Sequence, residues 1–146
     1  MSQPPQIELD TSLGYLLKQT ASELRTAMEA VLRPLGMSIT GYSCLELLSQ
    51  RPHLSNSELA RSAFVSRQSM NVLLIALQRD GLVHRPPVAT AGRALPAELT
   101  PLGRSRVGVA SAAVKKVESR MQSGLTGEEI TQLGNLLRNC GSALRE

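Results

Sequence analysis

The stretch VSRQSMNVLLIALQRDGLV, residues 65–83, changes character partway along its length. Residues 65–71 are mostly polar, whereas residues 72–77 are all apolar. Projected at about 100° per residue, one face of a helix collects the positions that we predict to be buried: Met70, Leu73, Leu74 and Leu77. Ser66 is a typical N-cap residue, and Gly81 suits the left-handed position that ends a helix. The stretch therefore predicts an amphipathic helix between these two residues.

The leading end of this helix carries more hydrogen-bonding side chains than a helix that only fills a core would need. Arginine pairs with guanine, asparagine and glutamine pair with adenine, and serine bonds a base edge or a phosphate. The free N–H groups of a helix N-terminus also favour a phosphate oxygen. We therefore predict a DNA-contacting surface, preferred over a merely solvated face, that consists of Ser66, Arg67, Gln68, Ser69, Asn71 and Val72. For the apolar Ile75 on the same outer face, a thymine methyl and a second packing surface are equally good partners.

Two helices precede this stretch. The first covers about 40–50, with Tyr42, Leu45 and Leu48 directed inward. The second covers about 55–62, because Ser55 and Glu58 have the spacing of a capping box. A tight connection over 63–65 joins it to the helix that begins at Ser66.

Two short strand-like segments follow, over residues 82–85 and 94–99, with the turn-rich PPVATAG between them. A short helix, a tight turn, a longer helix and two strands around a loop form a winged helix-turn-helix. In such a unit the second helix normally lies in the major groove of DNA. Arg85 in the first strand and Arg93 in the loop are further candidate DNA contacts, Arg85 through a phosphate if it touches DNA at all.

Three long helices are predicted to flank this unit, over about 10–33, 101–121 and 126–144. Each has an apolar stripe at helical spacing that suits packing on partner helices, and the stripe of the last one contains Ile130, Leu133, Leu137, Cys140 and Leu144. Packing within one chain is one use for these stripes. We favour dimerisation, because so small a module leaves little surface to cover all three. Residues 1–9 are rich in Pro and Gln and are predicted to be flexible.

The positive charge is concentrated in the middle of the chain. The whole sequence has sixteen Lys and Arg against twelve Asp and Glu, a net charge of +4. Residues 51–106 hold eight Arg and three acidic residues, or +5, which leaves eight basic and nine acidic residues, or −1, elsewhere. This distribution is expected if the middle third faces a polyanion. A solvated basic surface is the alternative, and charge alone does not decide between them.

Residues 37–103 resemble the MarR family of bacterial winged-helix regulators. The resemblance rests on MSITGYSCLELL, SNSELAR, VSRQSMNVLLIALQRDGLV and GRALPAELTPLGR, taken in this order. It implies a mainly α fold with a small β-wing, in which 37–100 binds DNA and the helices of 10–36 and 101–146 form the dimer within a single structural domain. It further implies a homodimer on a palindromic operator of double-stranded DNA, usually as a repressor. Release by a small phenolic or other aromatic ligand, or by cysteine oxidation, is common in the family.

The sequence departs from the family pattern at two places. The family wing usually has an Asp two residues before an Arg, whereas Ala91-Gly92-Arg93 keeps only the Arg. Arg93 still suits a narrow, A/T-rich minor groove, although no neighbouring residue is there to orient it. Many members have a Thr-Arg pair where this chain has Asn71-Val72. We therefore expect an operator sequence different from those of better-known relatives.

Four further residues are candidates for the switch. Tyr15 and Tyr42 would lie near the place where the family's ligands lodge, between the dimerisation helices and the winged module. We slightly prefer a structural role for both tyrosines. Cys44 reads as a small core residue and Cys140 as part of the dimer interface. A redox switch at either cysteine would need an exposed thiol of low pKa near a cation, so a redox-switched regulator is the alternative and not the first choice.

Several other classes of protein are excluded by what the sequence lacks. There is no nucleophile–base pair, phosphate loop or paired carboxylate for an enzyme, and His53 and His84 lack the spacing of metal ligands. We expect no cofactor. No apolar run is long enough to span a membrane, and MSQPP lacks the regions of a signal peptide. We therefore predict a cytoplasmic transcription regulator, associated with the nucleoid when bound to DNA. A winged helix used only for protein contacts is the remaining alternative.

Overall fold

The computed structural model describes residues 3–85 and 96–145, and nearly all of its regular structure is helical. The elements within these residues are α1 (Leu13–Leu32), α2 (Ile39–Gln50), α3 (Asn56–Ser62), α4 (Arg67–Arg79), β1 (Val83–His84), β2 (Glu98–Leu99), α5 (Pro101–Met121) and α6 (Gly127–Leu144). Short 3-10 helices, Leu9–Thr11 and Arg33–Leu35, stand at the two ends of α1. The predicted fold class, mainly α with a small two-stranded wing, is confirmed.

A serine or threonine side chain caps the N-terminus of each of these six α-helices. The predicted capping box of α3 is present, since Ser55 accepts from the Glu58 N–H at 3.1 Å and Glu58 accepts from the Ser55 N–H at 3.0 Å. Thr126 and Glu129 form the same pair at the start of α6. The predicted start of the first helix at residues 10–11 is wrong. Ser12 is the cap there and α1 begins one residue later, because the segment before it forms a 3-10 turn.

The end of α4 has the predicted left-handed glycine. Gly81 has φ of 76°, a conformation that side chains other than hydrogen adopt with strain. Its N–H donates to the Gln78 carbonyl at 3.0 Å, and the Leu82 N–H donates to the Leu77 carbonyl at 2.9 Å. Leu77 and Leu82 are both buried, so this turn brings the chain out of α4 and directly into the core edge of β1.

The wing is shorter at its base than the sequence indicated. β1 pairs antiparallel with β2, with Val83 opposite Leu99 and His84 opposite Glu98. Leu82 belongs to the C-cap of α4. Pro96 has no N–H to donate to the ladder between the strands, and it lies outside β2. The prediction of strands over 82–85 and 94–99 was therefore too long at 82, 85, 96 and 97, while residues 86–95 lie outside the described part of the chain.

The core lies where α2, α3 and α4 meet the small sheet and the first half of α5. Its largest fully buried side chains are Leu32, Leu45, Leu59, Met70, Leu74 and Cys44. By contrast, α6 buries no residue against the rest of the chain. Leu133 and Leu137 of its predicted stripe are exposed, as are Leu13 and Leu17 at the beginning of α1. Both helices thus have an apolar face that the described chain does not cover.

A tight joint connects the winged part to α5. The Thr100 hydroxyl donates to the Gly81 carbonyl at 2.6 Å and accepts from the Gly103 N–H at 3.0 Å. The Thr100 N–H donates to the Leu82 carbonyl at 3.1 Å. Gly103 approaches that same carbonyl so closely that a Cβ atom at this position would clash with it. The backbone of α5 therefore rests directly on the turn that ends α4.

This close approach predicts a specific cost for a single methyl group. Gly103→Ala should lower the free energy of unfolding by about 1–3 kcal/mol, because the backbone must shift to admit the Cβ. Gly108→Ala in the same helix is the control, since a Cβ there meets no atom within 4 Å and alanine is favoured over glycine in a helix by about 1 kcal/mol. Urea unfolding followed by circular dichroism measures both. Equal stability of the two variants would contradict the described joint.

Candidate DNA-binding surface

The predicted contact residues of the recognition helix share one exposed surface. Ser66 caps α4, and the outward face of the first two turns holds Arg67, Gln68, Ser69, Asn71 and Val72, all exposed. The inward face of the same helix buries Met70, Leu74 and Leu77. Val72 and Ile75 are 63% and 55% exposed, so no second packing surface within the described chain covers Ile75. The helix thus divides into a buried face and an outer face as the sequence indicated.

Ser66 and Ser69 organise the leading end of α4. The Ser66 hydroxyl oxygen accepts from the Ser69 N–H at 3.0 Å and donates its own proton to the Ser69 hydroxyl at 2.9 Å. Ser66 is therefore committed to the cap, whereas the Ser69 hydroxyl still has its proton to donate. The N–H groups of Arg67 and Gln68 precede the first helical hydrogen bonds, so the positive end of the helix dipole faces outward here.

The charges around this end are available to a polyanion. Arg67 is exposed, and the one ion pair within the described residues joins Arg79 to Asp80 at the opposite end of α4, with Nε and Oδ1 3.4 Å apart. The nearest carboxylate on α3, Glu58, is held in the capping box. Hydrogen bonds from the backbone and hydroxyl of Ser55 lower the pKa of Glu58, so it is ionised at neutral pH.

Arg85 connects the base of the wing to the recognition helix. It follows β1, and its Nη2 donates to Oδ1 of Asn71 at 3.1 Å. Arg85 is half-buried, and its buried Nε has no hydrogen-bond partner within residues 3–85 and 96–145. No spacing pattern in the sequence indicates this pairing, because Arg85 and Asn71 are 14 positions apart along the chain. The prediction that Arg93 contacts DNA falls on a residue outside the described ranges.

The exposed, left-handed position of Phe64 is a second feature that the sequence does not predict. Phe64 stands in the connection between α3 and α4 with φ of 61°, and its side chain is 94% exposed. The Phe64 N–H donates to the Arg61 carbonyl at 3.2 Å, and the Val65 N–H donates to the Ala60 carbonyl at 3.0 Å, which holds the left-handed turn. Glycine is frequent in the turns of helix-turn-helix units. The only Phe of the sequence stands at this place, and this indicates an unusual turn.

The two tyrosines predicted as candidate ligand contacts differ in their surroundings. Tyr15 is exposed on α1, whereas Tyr42 is buried and its hydroxyl donates to Glu46 Oε1 at 2.8 Å. Ser111 of α5 donates to the same oxygen at 2.6 Å. Burial, then the hydrogen bond and the charge of Glu46, raise the pKa of Tyr42 to about 12. The Ser111–Glu46 bond thus ties α2 to α5, and Tyr42 bonds the same carboxylate from within α2.

Neither tyrosine lines the two best-formed cavities of the described chain. One, of about 380 Å³, lies where α1 ends and α2 begins and is lined by Glu29, Arg33, Gly36, Met37, Ser38 and Ile39. The other, of about 500 Å³, is an open groove along α6. A ligand pocket at Tyr15 and Tyr42 stays a prediction.

The cysteines are also in different environments. Cys44 is fully buried, and burial raises the pKa of its thiol to about 12. The suggestion that Cys44 is a redox centre is wrong, because a reactive cysteine needs both access and a thiolate. Its interpretation as a small core residue is confirmed. Cys140 is exposed on α6 of the single chain.

Within the described part of the chain, no helix has the length and hydropathy needed to cross a membrane. No group of three or more His, Cys, Asp or Glu side chains is arranged to hold a metal ion there.

Comparison with known proteins agrees with this geometry. Residues 35–94 match a family model described as the MarR family. The HTH-type transcriptional repressor Rv2887 of Mycobacterium tuberculosis is 41% identical over 133 residues, which span 91% of this chain and 96% of the relative. Its crystal structure with salicylic acid has a TM-score of 0.73 at 40% identity and covers 90% of this chain and 97% of that one. Its crystal structure with DNA has a TM-score of 0.74 at 39% identity and covers 90% and 99%.

The exposed position of Arg67 generates a direct test. Arg67→Ala should weaken binding to a duplex selected from random DNA by about 1–3 kcal/mol and relax the choice of base at one position. Arg79→Ala is the control, because Arg79 lies at the opposite end of α4 beside Asp80. Fluorescence anisotropy with the selected duplex and its single-base variants measures both effects. If Arg67→Ala changes neither affinity nor base choice, the leading end of α4 is not the contact surface.

Proposed function

The chain belongs to the MarR family, and from that premise we propose that it is a dimeric, sequence-specific DNA-binding repressor that a small aromatic acid releases from its operator. The observation that carries the proposal is the leading end of α4. There a rigid, capped helix presents arginine, amide and hydroxyl groups on one exposed surface, backed by a fully buried face. The relative Rv2887 is named a transcriptional repressor and has been crystallised with DNA, which supports the same reading.

The contacts with DNA follow from the side chains that α4 presents. Arg67 donates to the acceptors of a guanine edge, Gln68 and Asn71 reach neighbouring bases, and the Ser69 hydroxyl reaches a base edge or a phosphate. In a dimer two such helices enter successive major grooves when they lie roughly 34 Å apart, one turn of B-DNA. The operator is then an inverted repeat. Such a regulator acts in the bacterial cytoplasm, where the chromosome lies, and its bound copies associate with the nucleoid.

The partner for dimerisation is a second copy of this chain. Support comes from the exposed apolar faces of α1 and α6, since α6 buries none of its residues within one chain. A stable dimer typically buries about 1,200–2,000 Å² in total, and two helices of 20 and 18 residues offer a surface of that order. Cys140 lies on the apolar stripe of α6 and would be packed in this interface.

Dimerisation is tested by charging the stripe of α6. Leu137→Glu should convert the protein to a monomer and abolish retention of the selected duplex, because a carboxylate in an apolar interface is left without a partner. Thr131→Glu, on the opposite side of the same helix, is the control and should stay dimeric. Sedimentation velocity gives the oligomeric state. A dimeric Leu137→Glu variant would move the interface away from this face of α6.

The effector is proposed to be an aromatic acid because Rv2887 has been crystallised with salicylic acid. A ligand that binds one arrangement of the two winged modules more tightly than another shifts their spacing, and thereby the fit to DNA. The contact from Ser111 to Glu46 joins α5 to α2, and a change in arrangement could be transmitted there.

Selection of bound fragments from random DNA, repeated with salicylate added, tests the function as a whole. We expect inverted repeats with half-sites about one helical turn apart, strong salt dependence of binding, and a lower yield of these fragments with salicylate. Equal retention of random and selected duplexes at moderate ionic strength would reject the DNA-binding function. If salicylate has no effect while peroxide releases the wild type and not Cys140→Ser, the switch is the Cys140 thiol instead.

A further inference from the structure

We propose that Arg85 is a positioning residue that holds the amide of Asn71 in one orientation, so that Asn71 reads its base as a hydrogen-bond donor. The inference rests on the proposed function and deepens it, since it assigns the base choice of one position on the α4 surface. It departs from the expectation for Arg85, which was a phosphate contact.

The first observation is the hydrogen bond itself. Arg85 Nη2 and Asn71 Oδ1 are 3.1 Å apart, and the bond joins the base of the wing to the outer face of the recognition helix. A guanidinium group has donors only, and an asparagine amide has an acceptor on one side and two donors on the other. Arg85 can therefore pair only with the oxygen of Asn71. If the amide were rotated by 180°, its NH₂ group would face the N–H groups of Arg85, and no hydrogen bond could form.

The second observation is the setting of Arg85. Its side chain is half-buried, and its Nε is buried without a hydrogen-bond partner in the described part of the chain. Because part of the side chain is buried, the guanidinium has less freedom to swing out toward a phosphate than that of the exposed Arg67. The placement suits a side chain whose task is the orientation of Asn71.

The consequence for base choice follows from the groups on the major-groove edges. With Oδ1 held toward Arg85, the NH₂ group of Asn71 faces outward and needs an acceptor. Guanine offers O6 and N7, thymine offers O4 and adenine offers N7, whereas cytosine presents only its amino group at the major-groove edge. Asn71 therefore selects against cytosine on the strand that it contacts.

The experiment measures the affinity of the full-length dimer for the selected duplex and for all its single-base-pair variants, at two salt concentrations. For the wild type we expect one base pair at which guanine, thymine or adenine is favoured roughly 5- to 100-fold over cytosine on the contacted strand, the range of a good base contact. Asn71→Ala identifies this base pair, because it is the only one at which the affinity of the variant should no longer depend on the base.

Arg85→Met removes the donor and keeps an apolar stem of similar length. We expect its base preference to fall to about twofold or less at the base pair identified by Asn71→Ala and at no other. The double variant should be no worse there than Asn71→Ala alone, because the two residues act through one contact. Arg85→Lys, which still has a donor, should restore most of the preference.

Asn71→Asp gives an independent reading that does not depend on the folding of Arg85→Met. A carboxylate still accepts from Arg85 but presents an oxygen outward in place of the NH₂ group. The preference at the same base pair should therefore invert, toward cytosine on the contacted strand.

Three results would overturn the inference. An even loss of affinity on all duplexes in Arg85→Met, with the salt slope reduced by about 1, would make Arg85 a phosphate contact. An unchanged base profile in Arg85→Met, or an uninverted one in Asn71→Asp, would show that the pairing does not govern recognition. A wild-type protein that discriminates no base pair would overturn the proposed function as well, so the two failures are distinguishable.

Discussion

Burial of the inner face of α4 is the constraint on which the rest of the molecule depends. Met70 and Leu74 are fully buried and Leu77 nearly so, and this packing fixes the rotation of the helix about its own axis. Once the rotation is fixed, Gln68 and Val72 face away from the core, and Arg67 and Asn71 are exposed on the flanks. Ser66 then fixes where the helix begins. The orientation of the proposed DNA-binding surface is thus a consequence of core packing, in a small chain with only three aromatic residues.

The winged module is bound to the long helix α5 by polar contacts on two sides. On one side Thr100 bonds the carbonyls of Gly81 and Leu82, next to the close approach of Gly103. On the other side Ser111 donates to Glu46 of α2. A module held at two separate places along a helix cannot swivel freely on it. Movement of α5 and movement of the proposed DNA-binding surface are therefore coupled, as the proposed release by a ligand requires.

Local rules predicted much of this molecule, and contacts between distant residues account for what they missed. Capping boxes, the left-handed Gly81 and the stripe of α4 depend on residues within one turn of each other, so the sequence shows them directly. The bonds from Arg85 to Asn71 and from Ser111 to Glu46 join residues 14 and 65 positions apart, and no spacing rule reaches that far. The candidate surface could therefore be named residue by residue, whereas the orientation of its amide could not.

The length of α5 has a mechanical consequence. A helix of 21 residues extends about 30 Å at 1.5 Å per residue, and the Thr100–Gly103 joint holds it at its first turn. Because Thr100 and Ser111 both join it to the winged module, the helix and the module move together as one rigid arm. A tilt of about 10° displaces the far end by roughly 5 Å over such a length. In the proposed dimer the interface would hold the far ends of α5, so the same tilt would displace the two proposed DNA-binding surfaces instead. Their spacing would then no longer match the pitch of the double helix.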